Sequence, residues 1–162
     1  MIYLIADTHF GHRAICKYRP QFSSPEEHDE YVIERINSVV RKAREQLWIL
    51  GDVCIKNPAY DFPKLLRRLH GTLHIITGNH DYLPAYNGFH VTTALVKKYG
   101  FWLSHCPIHP QELRGFYNIH GHVHYKTVDD PRYVNVCCEN VDFRPVHIDE
   151  IRKASSAGGV FP

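Results

Sequence analysis

Five short polar motifs recur down this chain, each built from residues that can offer a nitrogen or oxygen lone pair to a cation. They are Asp7-Thr8-His9, Gly51-Asp52, Gly78-Asn79-His80-Asp81, His105 and Gly121-His122-Val123-His124. Neutral imidazole is the commonest ligand for a borderline divalent metal, and a carboxylate can bridge two such ions held ~3.5–4 Å apart. The chain carries 13 histidines. That number decides nothing, because surface histidine costs little. Placement does: His9, His80, His105, His122 and His124 all follow apolar runs. Asp7 and His9 are two residues apart, as are His122 and His124, so an extended backbone would turn each pair to one side. Gly51 lets the chain turn sharply before Asp52, the natural bridging carboxylate, and Gly121 permits close backbone approach. The donors are nitrogen and oxygen with no thiolate. That suits manganese, iron, nickel or zinc better than magnesium, and two carboxylates are too few oxygens for calcium.

The elements that must position these residues can be read from the same stretches. Residues 2–6, 47–50, 73–77 and 101–104 are apolar runs that read as strands, each ending at one of the first four motifs, and 117–119 leads to the fifth. Polar residues at successive strand ends build a site at the carboxyl edge of an α/β sheet. A short helix is expected over 13–17. Ser24, Pro25 and Glu27 form a helix start with a capping box, and the helix is expected to reach about Arg44. Val32, Ile33, Ile36, Val39, Val40 and Ala43 make its buried stripe. Residues 61–69 read as a helix with Leu65, Leu66 and Leu69 inward. Buried strands alternating with helices predict a partly parallel sheet. Beyond this, 91–98, 101–104, 117–120, 133–138 and 144–148 read as short strands, and Asp149 caps a helix over 150–154. The last eight residues, 155–162, are rich in Ser, Ala and Gly and are expected to fray.

The motif order resembles the calcineurin-like metallophosphoesterase superfamily, whose pattern runs DxH, GD, GNH(D/E), H, GHxH. The run Asp7-Thr8-His9-Phe10-Gly11-His12, the helix start from Ser24 to Glu30 and the segment Leu103-Ser104-His105-Cys106-Pro107 resemble a small single-domain bacterial and phage branch of it. The likeness spans about residues 1 to 152. It implies a four-layer α/β/β/α sandwich of two mixed sheets flanked by helices, as in metallo-dependent phosphatases. It implies one metal on Asp7, His9, Asp52 and His124 and a second on Asp52, Asn79, His105 and His122, with manganese the favoured ion. Water activated between the cations would attack phosphorus, and His80, not itself a ligand, would stabilise the transition state or protonate the leaving oxygen. Asp81 would orient His80. His12 and Arg13 are the candidates for gripping substrate phosphate. His120 is expected to be buried and hydrogen-bonded, outside the ligand set.

The remaining numbers narrow the function. A chain of 162 residues is one domain by size, with residues 1–154 as the metallophosphoesterase domain and 155–162 as tail. No apolar run reaches membrane-spanning length, and the chain starts on a strand with no basic leader, so a cytoplasmic protein is expected. The five cysteines include adjacent Cys137 and Cys138 and no CxxC pair, which reads as reduced thiols in the core. A net charge of +2 does not by itself indicate nucleic-acid binding. The expectation is a phosphodiesterase on small or nucleotide-type phosphoesters, its site open because no cap domain is inserted. A phosphomonoesterase or protein phosphatase is the first alternative. A catalytically silent metal-holding module ranks below both, since the full motif set is retained.

Overall fold

Burial alternates along the first strands and divides their side chains between two cores. In the computed structural model, which describes residues 1–156, strand β1 (Ile2–Ile5) turns Tyr3 and Ile5 to one core and Leu4 to the other. Strand β2 (Gln46–Leu50) does the same with Leu47 and Ile49 against Trp48 and Leu50. This is the two-residue period of a strand covered on both faces.

The first sheet has the order β4-β3-β2-β1-β9, with β3 at Thr72–Ile76, β4 at His90–Thr92 and β9 at Val146–His147. Its neighbours run parallel except β9 against β1. The second sheet is β5-β6-β7-β8: Val96–Lys98, Phe101–Leu103, Tyr117–His120 and Tyr133–Asn135. Only its β5/β6 pair is antiparallel. Leu4, Leu50 and Ile76 of the first sheet meet Phe101, Leu103, Ile119 and Val134 of the second in a shared core. The other face of the first sheet packs on α1 (Ile15–Tyr18), α2 (Pro25–Val39) and α3 (Phe62–Leu66) through Cys16, Val32, Ile33, Ile36 and Leu66. Helix α4 (Ile148–Ser156) follows β9 and joins the inter-sheet core through Ile148 and Ile151. The fold is thus mixed α/β, with two mixed sheets flanked by helices.

Ser24 accepts from the Glu27 N–H as a cap, while the Glu27 carboxylate reaches back to Ser23. Helix α2 stops at Val39, short of the expected Arg44. Buried Glu45 accepts from the N–H groups of Arg41 and Lys42 at 2.7 and 3.0 Å and so draws the chain into a turn, which leaves Ala43 exposed. The expected strand over 91–98 is two strands in different sheets, β4 and β5, because the chain crosses between the layers at 93–95. The helix expected over 61–69 is only α3, and strand β8 stops at Asn135. Helix α4 runs two residues into the expected tail; 157–162 lie outside the described residues.

Candidate active site

The five motifs meet at one end of the two sheets, and three of them do so through an unfavourable backbone. Asp7, His9, Asp52, His122 and His124 all have positive φ, between 50° and 71°. Left-handed backbone costs a non-glycine residue roughly 1–2 kcal/mol, and such outliers cluster at functional sites. The expected extended Asp7–His9 and His122–His124 segments therefore each hold two residues in left-handed backbone. They converge on one side for a different reason than strand pleating. Several contacts hold the turns: Asp7 N donates to Gly51 O at 3.0 Å, His9 N to Asp52 O at 2.9 Å, and Thr8 Oγ1 to Val53 O at 3.1 Å.

Asp52 divides its two oxygens. Oδ2 lies 3.8 Å from His9 Nε2, and Oδ1 lies 3.5 Å from His105 Nε2. One donor group is Asp7, His9 and His124, whose ligand atoms all lie within 4.8 Å of one another. On the other side His105 Nε2 stands 3.0 Å from Asn79 Oδ1 and 3.2 Å from His122 Nδ1. The seven expected ligands are thus brought together in two adjoining groups with Asp52 between them.

The donor chemistry fits cations. His105 Nδ1 faces the Leu50 carbonyl at 2.9 Å, so its proton sits there and Nε2 presents a lone pair. That lone pair points at two further acceptors, Asn79 Oδ1 and Asp52 Oδ1, an arrangement a positive ion resolves. In the other group Asp7 Oδ1 and His9 Nε2 are buried without any hydrogen-bond partner. Three motif glycines make the space. A Cβ on Gly51 would strike the His105 ring, one on Gly78 the Asp52 carboxylate, and one on Gly121 the Asp7 carboxylate. Burial alone would raise the Asp7 carboxyl. Its contacts with His9, His105, Cys137 and the His122 N–H outweigh burial and hold it at about 2, ionised and ready to bind.

A buried polar chain supports the first group, and sequence reading missed it. His124 Nδ1 lies 3.2 Å from Glu139 Oε1, the carboxylate–histidine arrangement that fixes a ligand's tautomer. Glu139 Oε1 also accepts from Arg19 Nε and Nη2 at 3.0 and 2.8 Å. Arg19, only 2% exposed, further donates to the carbonyls of Asp7 and Thr8 at 2.6 and 3.3 Å and lies 2.7 Å from His28 Nε2. His28 Nδ1 in turn faces Asp29 Oδ1 at 2.8 Å, and Asp29 Oδ2 holds the Gly11 N–H. Burial would raise the Glu139 carboxyl, but the His124 and Arg19 contacts hold it at about 2; the same Glu139 contact raises His124. The signal available in the sequence was Glu139 itself, an acid following the apolar run 133–138.

Two expected roles change. The Asp81 carboxylate accepts from the N–H groups of Asp52, Val53, Cys54 and Gly78, and from Tyr86 Oη. It ties the Asp52 and Gly78 loops together and makes no hydrogen bond to His80. The reason is the concentration of unpaired loop N–H groups on that side of the turn. Arg13 reaches Asn57 Oδ1 at 3.4 Å and is absent from the cleft lining. His12 does line the cleft, and its Nδ1 accepts from Ala14 N, which leaves Nε2–H free to donate. His80 is exposed on the same cleft, its backbone N–H on Asp52 Oδ1 at 2.9 Å. His120 is fully buried with Nδ1 2.9 Å from Gly121 O. Cys106 departs from the core reading of the thiols: it is exposed, and its sulfur lies within 4.8 Å of ligand nitrogens of His105 and His122.

The calcineurin-like phosphoesterase family model matches residues 1–154. An uncharacterised protein of Methanocaldococcus jannaschii is 36% identical over 176 aligned positions, covering 98% of this chain and 93% of that protein. The crystal structure of a protein of unknown function from Aquifex aeolicus matches with a TM-score of 0.72 at 26% identity, over 94% of this chain and 98% of that one. Family match, sheet topology and converging His/Asp clusters agree: the chain belongs to the calcineurin-like phosphoesterases and is a metal-dependent phosphoesterase.

Proposed function

We propose that residues 1–154 form a single catalytic domain that hydrolyses small phosphodiesters, with Asp7, His9, Asp52 and His124 holding one cation and Asp52, Asn79, His105 and His122 the other. Manganese is the favoured ion, because imidazole outnumbers carboxylate in the donor set. Bound cations supply positive charge to the phosphoryl oxygens and lower the pKa of water at the site. His80, on the cleft beside Asn79, donates a proton to the leaving oxygen. His12 offers Nε2–H to a phosphoryl oxygen; burial, the largest influence, lowers its pKa and favours this neutral donor form. Asp81 keeps the Asp52 and Gly78 loops in register. Cytoplasmic residence is part of this reading, supported by five free cysteines and by the lack, among the described residues, of any helix long and apolar enough to cross a membrane.

The observation that carries the diester preference is the shape of the cleft. It has a volume of about 740 Å³, opens to solvent, and extends beyond His9, His122 and His124 to Lys17, Tyr18, Tyr125 and Lys126. A phosphodiester has two organic arms and needs room for both. The test is steady-state kinetics on matched nitrophenyl mono- and diesters with manganese. A diester advantage is expected. A tenfold monoester preference, about 1.4 kcal/mol of transition-state discrimination, overturns the reading in favour of a phosphatase.

A further inference from the structure

Two aromatic side chains stand exposed on this molecule among the described residues, and both are on the cleft. Tyr18 is 74% exposed and Tyr125 76%. Every other tyrosine, phenylalanine and tryptophan among the described residues is buried or half-buried. The two come from distant parts of the chain. Tyr18 ends α1, and Tyr125 follows ligand candidate His124 in the loop after β7. Each has an exposed lysine beside it that also lines the cleft, Lys17 and Lys126. Tyr18 is fixed edge-on to His12, with ring centroids 5.7 Å apart, and His12 meets His9 at 5.9 Å. One aromatic face therefore stands two ring contacts from the first donor group, and the other stands one residue from it along the chain.

Two flat π surfaces, each with a lysine next to it in the chain, in one cleft with the first donor group match the chemistry of a nucleotide strand. Bases stack on aromatic faces with little regard to identity, and lysines meet the backbone phosphates. A lipid arm would call for a continuous aliphatic wall, whereas Ile15 and Val123 are the aliphatic side chains of the lining. A duplex hides its base faces in its own stack, and a net charge of +2 gives no long basic track for one.

We propose that Tyr18 and Tyr125, which share the cleft beside the first donor group, are base platforms, so that the substrate class is a short single-stranded nucleotide phosphodiester whose bases stack on these tyrosines. This deepens the phosphodiesterase reading and rests on it. Its test compares kcat/KM, with manganese, for methyl p-nitrophenyl phosphate, which has no base, and thymidine p-nitrophenyl phosphate, which has one. The base-bearing ester should be preferred by about tenfold or more. One of the two variants Tyr18→Leu and Tyr125→Leu, the one that removes the platform this single base uses, should cut that ratio about tenfold, through KM, and Tyr→Phe there should restore it; a ratio unchanged in both overturns the platforms. A dithymidine monophosphate and an oligothymidylate should both be cleaved and a duplex should not; equal cleavage of the duplex overturns the single-stranded assignment. Calorimetric binding of the dithymidine phosphate to metal-free protein gives a readout independent of turnover, and it should weaken in both Leu variants. Equal use of the two nitrophenyl esters, or binding unchanged in both Leu variants, overturns the platforms while leaving the phosphodiesterase standing. Hydrolysis of monoesters alone overturns the phosphodiesterase reading, and the calorimetry then still decides whether the tyrosines hold bases.

Discussion

Asp52 faces two sets of donors with different oxygens. Asp52→Asn should remove nearly all turnover and weaken both cations, because a neutral amide leaves two positive ions facing each other. Metal analysis beside kinetics would show this, and two retained ions at near-normal rate would end the bridging assignment. His80 behaves differently. It lies outside both donor groups, so His80→Ala should keep its metal while kcat falls by ~10²–10⁴-fold, less for good leaving groups such as nitrophenolate. Loss of metal in that variant would make His80 structural. Glu139→Gln should lower metal affinity about 10–100-fold, as loss of an outer-shell carboxylate does, read by competition with a chelating dye. The ligand candidates were legible in the sequence because few residue types offer nitrogen or oxygen donors and the motifs fix their order. Glu139 was not, because its role depends on Arg19, 120 residues away. Asp81 was misread for a related reason. Adjacency to His80 in sequence suggested a pair, while the loop amides that bind it come from Asp52, Val53 and Cys54.

The strands were legible because each is a short apolar run with a polar stop, and hydrophobic period gives them directly. Their limits were not. Val91 and Val96 are alike in type, and only the turn at 93–95 sends them to different sheets. The end of α2 likewise depends on the buried Glu45 carboxylate, a tertiary partner that helix propensity does not contain. At its start the local rule holds, and Ser24→Ala should cost about 1 kcal/mol in denaturant unfolding. The loop between β3 and the 3-10 turn at Leu83–Tyr86 offers a sharper test of how elements serve the site. Gly78 does not have positive φ, so its own backbone admits alanine, yet the added methyl would meet both the carboxylate and the backbone nitrogen of Asp52 and force the two loops apart. Gly78→Ala should therefore lower the thermal midpoint and bind neither cation well, read by calorimetry and metal analysis; normal metal content would overturn this.

For the whole molecule, the buried titratable groups set how the metal-free protein responds to acid. Burial depresses His28 and His120 below their ordinary 6.5. Depressed histidines stabilise the fold above that value, and the contribution is lost as pH falls below it. His124, raised chiefly by Glu139, acts in the opposite sense and offsets part of the loss. Asp7 and Glu139, both held at about 2 against 3.8 and 4.5 unfolded, add a second loss as pH falls from those values toward 2. Thermal midpoints should accordingly fall on acidification in two stages; a flat profile across both windows would refute the assignment. Saturating manganese should raise the midpoint at neutral pH, by about 2.7 kcal/mol of stability at a hundred times its Kd. The ion pair between Arg19 and Glu139 also bears on time. A ribosome releases Asp7 and His9 well before His124 and Glu139. The nascent chain can pair β1 with β2, and β2 with β3, before it owns the complete first donor group. Capture of a cation there must therefore follow the emergence of His124, and a chain cut off before Glu139 would carry the strained Asp7 and His9 backbone without the partner that braces it.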